Sequence, residues 1–104
     1  MPVRYYAILL KDGIEIHVFF ETNQGILVRY VVKLVRNGYQ EVIRFDSAHD
    51  CPHKDILGVD GKVKRKVWFE LLDNKQGLDL AIKDLKDNYE LYVERYLKWL
   101  KKSD

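Results

Sequence analysis

The chain has 104 residues, 18 basic and 16 acidic, for a formal net charge of +2. That length predicts a single domain and leaves no room for two. A hydrophobic share of 47% beside a charged share of 33% supports a packed core under a solvated surface and argues against disorder. The near-neutral balance gives no electrostatic reason to expect nucleic acid, although it leaves room for a local patch. Cys51 is the single cysteine, so an internal disulfide is excluded. No apolar run approaches the roughly 20 residues that span a bilayer, and no cleavable leader is visible. The expectation is a cytoplasmic protein with no membrane partner and no cofactor.

In chain order, Asp12-Gly13, Asn37-Gly38 and Asp60-Gly61 are turn dipeptides, with a looser turn at Glu21-Thr22-Asn23-Gln24-Gly25. The segments between them are rich in Val, Ile, Tyr and Phe. They predict five strands over about 3–10, 14–20, 26–36, 39–46 and 63–71. Alternation places Ile14, Ile16, Val18 and Phe20 on one face, against Glu15, His17 and Phe19. On the next strand Ile26, Val28, Tyr30, Val32 and Leu34 oppose Arg29 and Lys33. On the last, Val63, Val67, Phe69 and Leu71 oppose Lys64, Lys66, Trp68 and Glu70.

From about Asn74 to Lys101, Leu78, Ile82, Leu85, Tyr89, Tyr92, Tyr96 and Trp99 recur at alternating steps of four and three. This predicts one amphipathic helix of ~40 Å, N-capped by Asn74, with its aromatic stripe packed on the sheet. The fold expected is α+β: an antiparallel β-meander of about five strands packed on one long C-terminal helix. One helix covers one face of a sheet. The apolar residues assigned to the other face (Tyr6, Ile8, Phe19, Leu27, Val31, Val42, Trp68) therefore point to a homodimer.

Tight turns also suggest a register. Pairing Arg36 with Tyr39, Ala7 with Val18 and Phe20 with Ile26 lines up Ile8, His17, Arg29 and Asp46 in one row of the outer face. Asp46 opens a segment running through Ser47, Ala48, His49, Asp50, Cys51, Pro52, His53, Lys54 and Asp55, read as the start of a loop that lasts until Gly61. It holds two of the three histidines and the cysteine, and long loops in small domains often carry function.

Three readings of this segment stand side by side. His49, His53 and Asp55 are competent metal ligands, though Pro52 interrupts the four-residue spacing of the histidines and no CxxC or HExxH motif is present. Alternatively, Asp46, His49 and His53, with Arg29 and His17 nearby, supply a base, an acid and a cation, the parts needed to cut a phosphodiester. In the third reading Asp46 only pairs with Arg29 and the loop aspartates make turns. Lys62, Lys64, Arg65 and Lys66 form a basic run suited to RNA contact or to guarding a sheet edge.

The run Arg44-Phe45-Asp46-Ser47-Ala48-His49, followed by His53, Asp55, a strand and a helix, resembles the TumE-type toxin-like family of small prokaryotic proteins. The likeness covers about residues 26–100 in element order and 42–55 in identity, with Asp46, Ala48, His49 and His53 as the matching positions. Ser47 replaces the family's usual Asn, and Asp55 stands where another His is common. The resemblance implies a toxin of a toxin–antitoxin pair acting on RNA, with an antitoxin protein as partner. The alternative is a non-catalytic dimeric module that binds another protein.

Overall fold

The computed structural model describes residues 3–47 and 51–102. Six strands, β1 (Val3–Lys11), β2 (Ile14–Asn23), β3 (Ile26–Arg36), β4 (Gln40–Asp46), β5 (His53–Leu57) and β6 (Val63–Trp68), precede one helix, α1 (Asn74–Lys102). The strands form one sheet in chain order, each antiparallel to the next. The expected α+β meander on a single long helix is therefore present, with one strand more than the turn signals gave.

The extra strand is β5. It lies inside the stretch that the sequence suggested was a loop from Ser47 to Gly61. Its five residues, His53-Lys54-Asp55-Ile56-Leu57, carry three charged or titratable side chains, so an apolar-alternation test passes over them. Yet four of the five residues are buried. The last strand is correspondingly shorter than expected and ends at Trp68; Leu71, assigned to the buried row, is solvent-exposed.

The helix packs over β3 and β4. Ile16, Val18, Tyr30, Val32, Leu34, Ile43, Phe45 and Ile56 from the sheet meet Ala81, Leu85, Tyr92, Val93 and Tyr96 from the helix. Leu78, Ile82, Tyr89 and Trp99 pack against this cluster, so the aromatic stripe is core, as its spacing implies. The helix start differs by one residue. Asp73 accepts from the Gln76 amide (2.8 Å), while the Gln76 side chain accepts from the Asp73 amide (3.0 Å). This reciprocal pair is a capping box. The expected cap, Asn74, instead donates to the carbonyl oxygens of Leu27 and Val28 and ties the helix to the β2–β3 hairpin. No described helix is long and apolar enough to cross a membrane.

Register departs from expectation at each hairpin, because two turns differ in length from those expected and bulges absorb single residues. The β2–β3 turn is tight, with Gln24 and Gly25 both at positive φ (52° and 79°), and a shift at Glu21/Thr22 leaves Phe20 opposite Tyr30 instead of Ile26. Leu9/Lys11 is bulged, so Ala7 faces His17. The third turn holds three residues, Asn37-Gly38-Tyr39, so Arg36 pairs with Gln40 instead of Tyr39, and a shift at Leu34/Val35 sets Val32 opposite Phe45 instead of Ile43. That last bulge brings Val42 and Ile43 into the same core and turns Glu41 outward, where it meets Lys33 at 2.9 Å.

Candidate functional site

With these bulges in place, two unbroken rows cross the sheet on the face opposite the helix. One reads Tyr5, Phe19, Val31, Asp46, His53, Trp68. The other reads Ala7, His17, Lys33, Arg44, Asp55, Lys66. Lys54 fixes which face is which. Its ammonium reaches the helix, donating to Tyr92 Oη (2.8 Å) and Asp84 Oδ2 (3.3 Å). Its neighbours His53 and Asp55 therefore point the opposite way.

The chemistry concentrates where β4, β5 and β6 cross these rows. Asp55 is 2% exposed, an uncommon place for a carboxylate without partners. Arg44 donates to its Oδ2 at 3.4 Å from β4, and Lys66 lies 3.6 Å from its Oδ1 on β6. His53 Nε2 lies 3.7 Å from the same carboxylate. These are ion-pair distances, longer than good hydrogen bonds, and Oδ1 has an ionic neighbour but no hydrogen bond. Two cations around one buried anion leave the cluster with a surplus positive charge before His53 is counted.

His53 is held from both sides. Nδ1 lies 3.1 Å from the Cys51 carbonyl oxygen. A carbonyl only accepts, so Nδ1 carries the proton, and the Nε2 lone pair faces the carboxylate side. The ring also packs on Trp68, centroids 4.9 Å apart, and Lys66 Nζ sits 5.2 Å over the Trp68 ring. Trp68 remains 45% exposed. The β4 end is pinned by Ser47, whose Oγ accepts from the Tyr30 amide at 3.0 Å and donates to the Tyr30 carbonyl oxygen at 3.5 Å. Beneath it, burial raises the Tyr30 phenol above its ordinary value, helped by the Asp46 carboxylate and by Cys51.

Of the sequence-derived candidates, Asp46 and His53 are direct ladder partners and share the outer face. Asp55, placed in a possible metal set, is instead the hub of the ion cluster. Arg29 also faces outward, but it pairs with Glu21 (3.7 Å) at the rim of the sheet. His17 is on β2, three strand spacings from Asp55, or about 14 Å. There it contacts Tyr5 Oη through Nδ1 (3.0 Å) and Glu15 through Nε2 (3.8 Å). The expected row of Ile8, His17, Arg29 and Asp46 does not form: Ile8 pairs with Ile16 on the helix side. Tyr6 and Val42, assigned outward, likewise belong to the helix side. His49 lies outside the described residues. Among those described, no three His, Cys, Asp or Glu side chains are arranged to hold a metal ion; around Asp55 the positions a metal would take belong to Arg44 and Lys66.

Arg44, Lys66 and Trp68 complete the site; from the sequence Lys66 stands only in a basic run, Trp68 only among outer-face apolar residues and Arg44 only in the resemblance run, none of them beside His53. A signal for them does exist. Three successive segments carry a polar pair at i and i+2, namely Arg44/Asp46, His53/Asp55 and Lys66/Trp68. Strand geometry sends both members of each pair to one face.

The sequence profile of one family spans residues 1–102, and its description is a domain of unknown function, DUF7718. The chain belongs to the DUF7718 family. No curated protein and no solved structure matches it. The chemistry of this DUF7718 member therefore has to be argued from the geometry around His53 and Asp55.

Proposed function

We propose that this protein is a toxin-like ribonuclease of a toxin–antitoxin pair, cutting RNA by metal-independent acid–base chemistry on the outer face of its sheet. The observation that supports this is the His53–Asp55 pair: an imidazole whose Nδ1 is tied to a backbone carbonyl and whose Nε2 faces a buried carboxylate. That arrangement sets a histidine to take up a proton at Nε2. Arg44 and Lys66 flank it and suit a phosphate whose charge grows during reaction. In RNA the attacking group is the neighbouring 2′-hydroxyl. Nε2 removes its proton, the oxygen bonds to phosphorus, and the bond to the 5′ oxygen breaks. The 5′ oxygen takes a proton from solvent, leaving a cyclic 2′,3′-phosphate and a 5′-hydroxyl. DNA lacks the nucleophile.

His53 is almost sealed, so a substrate must displace a neighbour to reach Nε2. Trp68, half-exposed and packed on the ring, is the side chain placed to turn aside and stack on a base. The same burial favours a second reading, a non-catalytic dimeric module in which the cluster only holds β4, β5 and β6 together.

The test is incubation of the purified protein with end-labelled RNA and DNA of one sequence, in chelator. Wild type is expected to cut RNA only, with cyclic phosphate ends, and His53→Gln to be slower by about 100-fold or more. Absence of RNA cleavage by folded wild type, or equal cleavage by the variant, overturns the proposal in favour of the module. In a host cell, wild type is expected to arrest growth, with relief by His49→Ala and by His53→Ala.

A further inference from the structure

A sheet of six strands in chain order has two open edges, β1 and β6, and the chain treats them differently. An open edge presents unpaired amide and carbonyl groups that template another strand, and proteins commonly guard it with cations, proline or bulges. The β6 edge is guarded: three of its six residues, Lys64, Arg65 and Lys66, are basic, and a register shift falls within its pairing to β5. The β1 edge is nine residues long, Val-Arg-Tyr-Tyr-Ala-Ile-Leu-Leu-Lys, with charges only at Arg4 and Lys11 and no proline. Its bulge lies near the far end, at Leu9/Lys11, so the run Val3 to Leu9 is regular. Val3, Tyr5, Tyr6 and Leu9 are all exposed there, Leu9 by 78%. The helix lies over β3 and β4; on β1 only Ile8 and Leu10 are partly buried, packed against the edge of the core, and the other seven residues are exposed.

We propose that β1 is a dimerisation strand, pairing antiparallel with β1 of a second copy about a two-fold axis through Tyr6. Free backbone groups specify that the occupant is a strand, and self-complementarity specifies a second copy. With Tyr6 opposite Tyr6 of the partner, the seven regular residues pair completely. Val3 meets Leu9, Tyr5 meets Ala7, and Arg4 meets Ile8 in both directions. The two most hydrophobic exposed ends cover each other, and the aromatic rings meet at the axis. No like charges stand opposite, the arrangement cross-strand pairing requires. Such an isologous contact closes on itself and joins two six-stranded sheets into one, leaving only the lysine-guarded β6 edges open. A single strand pair is a small interface, so the dimer is of modest affinity.

Sedimentation of the intact chain from about 1 to about 200 μM, a range spanning modest affinities, tests this. A monomer–dimer equilibrium is expected for wild type, with monomer only for Leu9→Lys and for Tyr6→Lys, each keeping the wild-type circular dichroism. In a Cys51→Ser background, Tyr6→Cys should form a disulfide-linked dimer on mild oxidation, because directly opposed strand residues have Cα atoms about 4.5–5.5 Å apart. Wild type that stays monomeric throughout, or a dimer that survives Leu9→Lys, overturns the proposal. A dimer in which Tyr6→Cys fails to link overturns the two-fold axis through Tyr6.

Discussion

Asp55→Asn removes the one negative charge from the centre of the β4–β5–β6 cluster while keeping the side-chain shape. Truncating one partner of a fully buried ion pair costs about 3–5 kcal/mol. Here the loss is smaller, because Arg44 and Lys66 are each about one-third exposed and can turn their charge to water. The distances of 3.4–3.7 Å also show a loose pairing. A loss of about 2 kcal/mol follows, which for a domain of this size lowers Tm by about 8–16 °C. Urea unfolding followed by tryptophan fluorescence reads the change, since Trp68 packs on His53 beside the mutated position. Lys75→Ala, which breaks the exposed Lys75–Asp79 pair, serves as the control and should leave stability unchanged. If Asp55→Asn stays within about 0.5 kcal/mol of wild type, the size of an ordinary surface substitution, the argument that the buried carboxylate holds three strands together is refuted. A gain in stability for Asp55→Leu would show that desolvation of the carboxylate outweighs its attraction to the two cations.

Three further outcomes follow from other parts of the fold. Gly77 sits in the first turns of α1 where an added methyl would run into the Tyr30 hydroxyl and come within 2.8 Å of Pro52 Cβ. Gly77→Ala should therefore destabilise by about 1–3 kcal/mol despite alanine's better helix propensity, with partial recovery in the Tyr30→Phe double variant in thermal melts. Tyr30 and Tyr92 both have phenols raised above the ordinary value of 10.0, each mainly by burial and Tyr92 also by donating to Asp84. Above pH 10 the unfolded chain sheds these protons while the folded chain keeps them. Stability should be full below that pH and fall as pH climbs beyond it, and Tyr92→Phe should show a shallower fall in an alkaline denaturation series. Asp73→Ala removes the N-cap acceptor of the Gln76 amide and should cost about 1 kcal/mol in urea unfolding, whereas Asn74→Ala leaves the capping box intact.

The meander and its helix were legible because their signals are local. Turn dipeptides such as Asn37-Gly38 fix where the chain reverses, and alternation in β2 or the four-and-three spacing from Leu78 to Trp99 fixes which side of an element is apolar. The site was legible only in part. Asp46 and His53 could be named because such side chains gather between strands, but β5 was hidden, since its buried residues include His53 and Asp55 and it carries no apolar alternation.

The sequence by itself determined the order of the elements other than β5, the core-facing side of β2, of β3 from Tyr30 to Leu34 and of α1, and the presence of a titratable group around residues 46–55. Only the tertiary structure decided which of these groups meet. Single-residue bulges at Leu9/Lys11, Glu21/Thr22 and Leu34/Val35, with turn lengths that differ at the second and third hairpins, reset the pairings across the first four strands. They moved His17 and Arg29 away from Asp46, while the pairing of the unforeseen β5 with β4 and β6 brought Arg44 and Lys66 against Asp55. A bulge has no sequence signature of its own: it arises where core packing on one face outweighs an unbroken ladder, and that balance is set by residues distant in the chain.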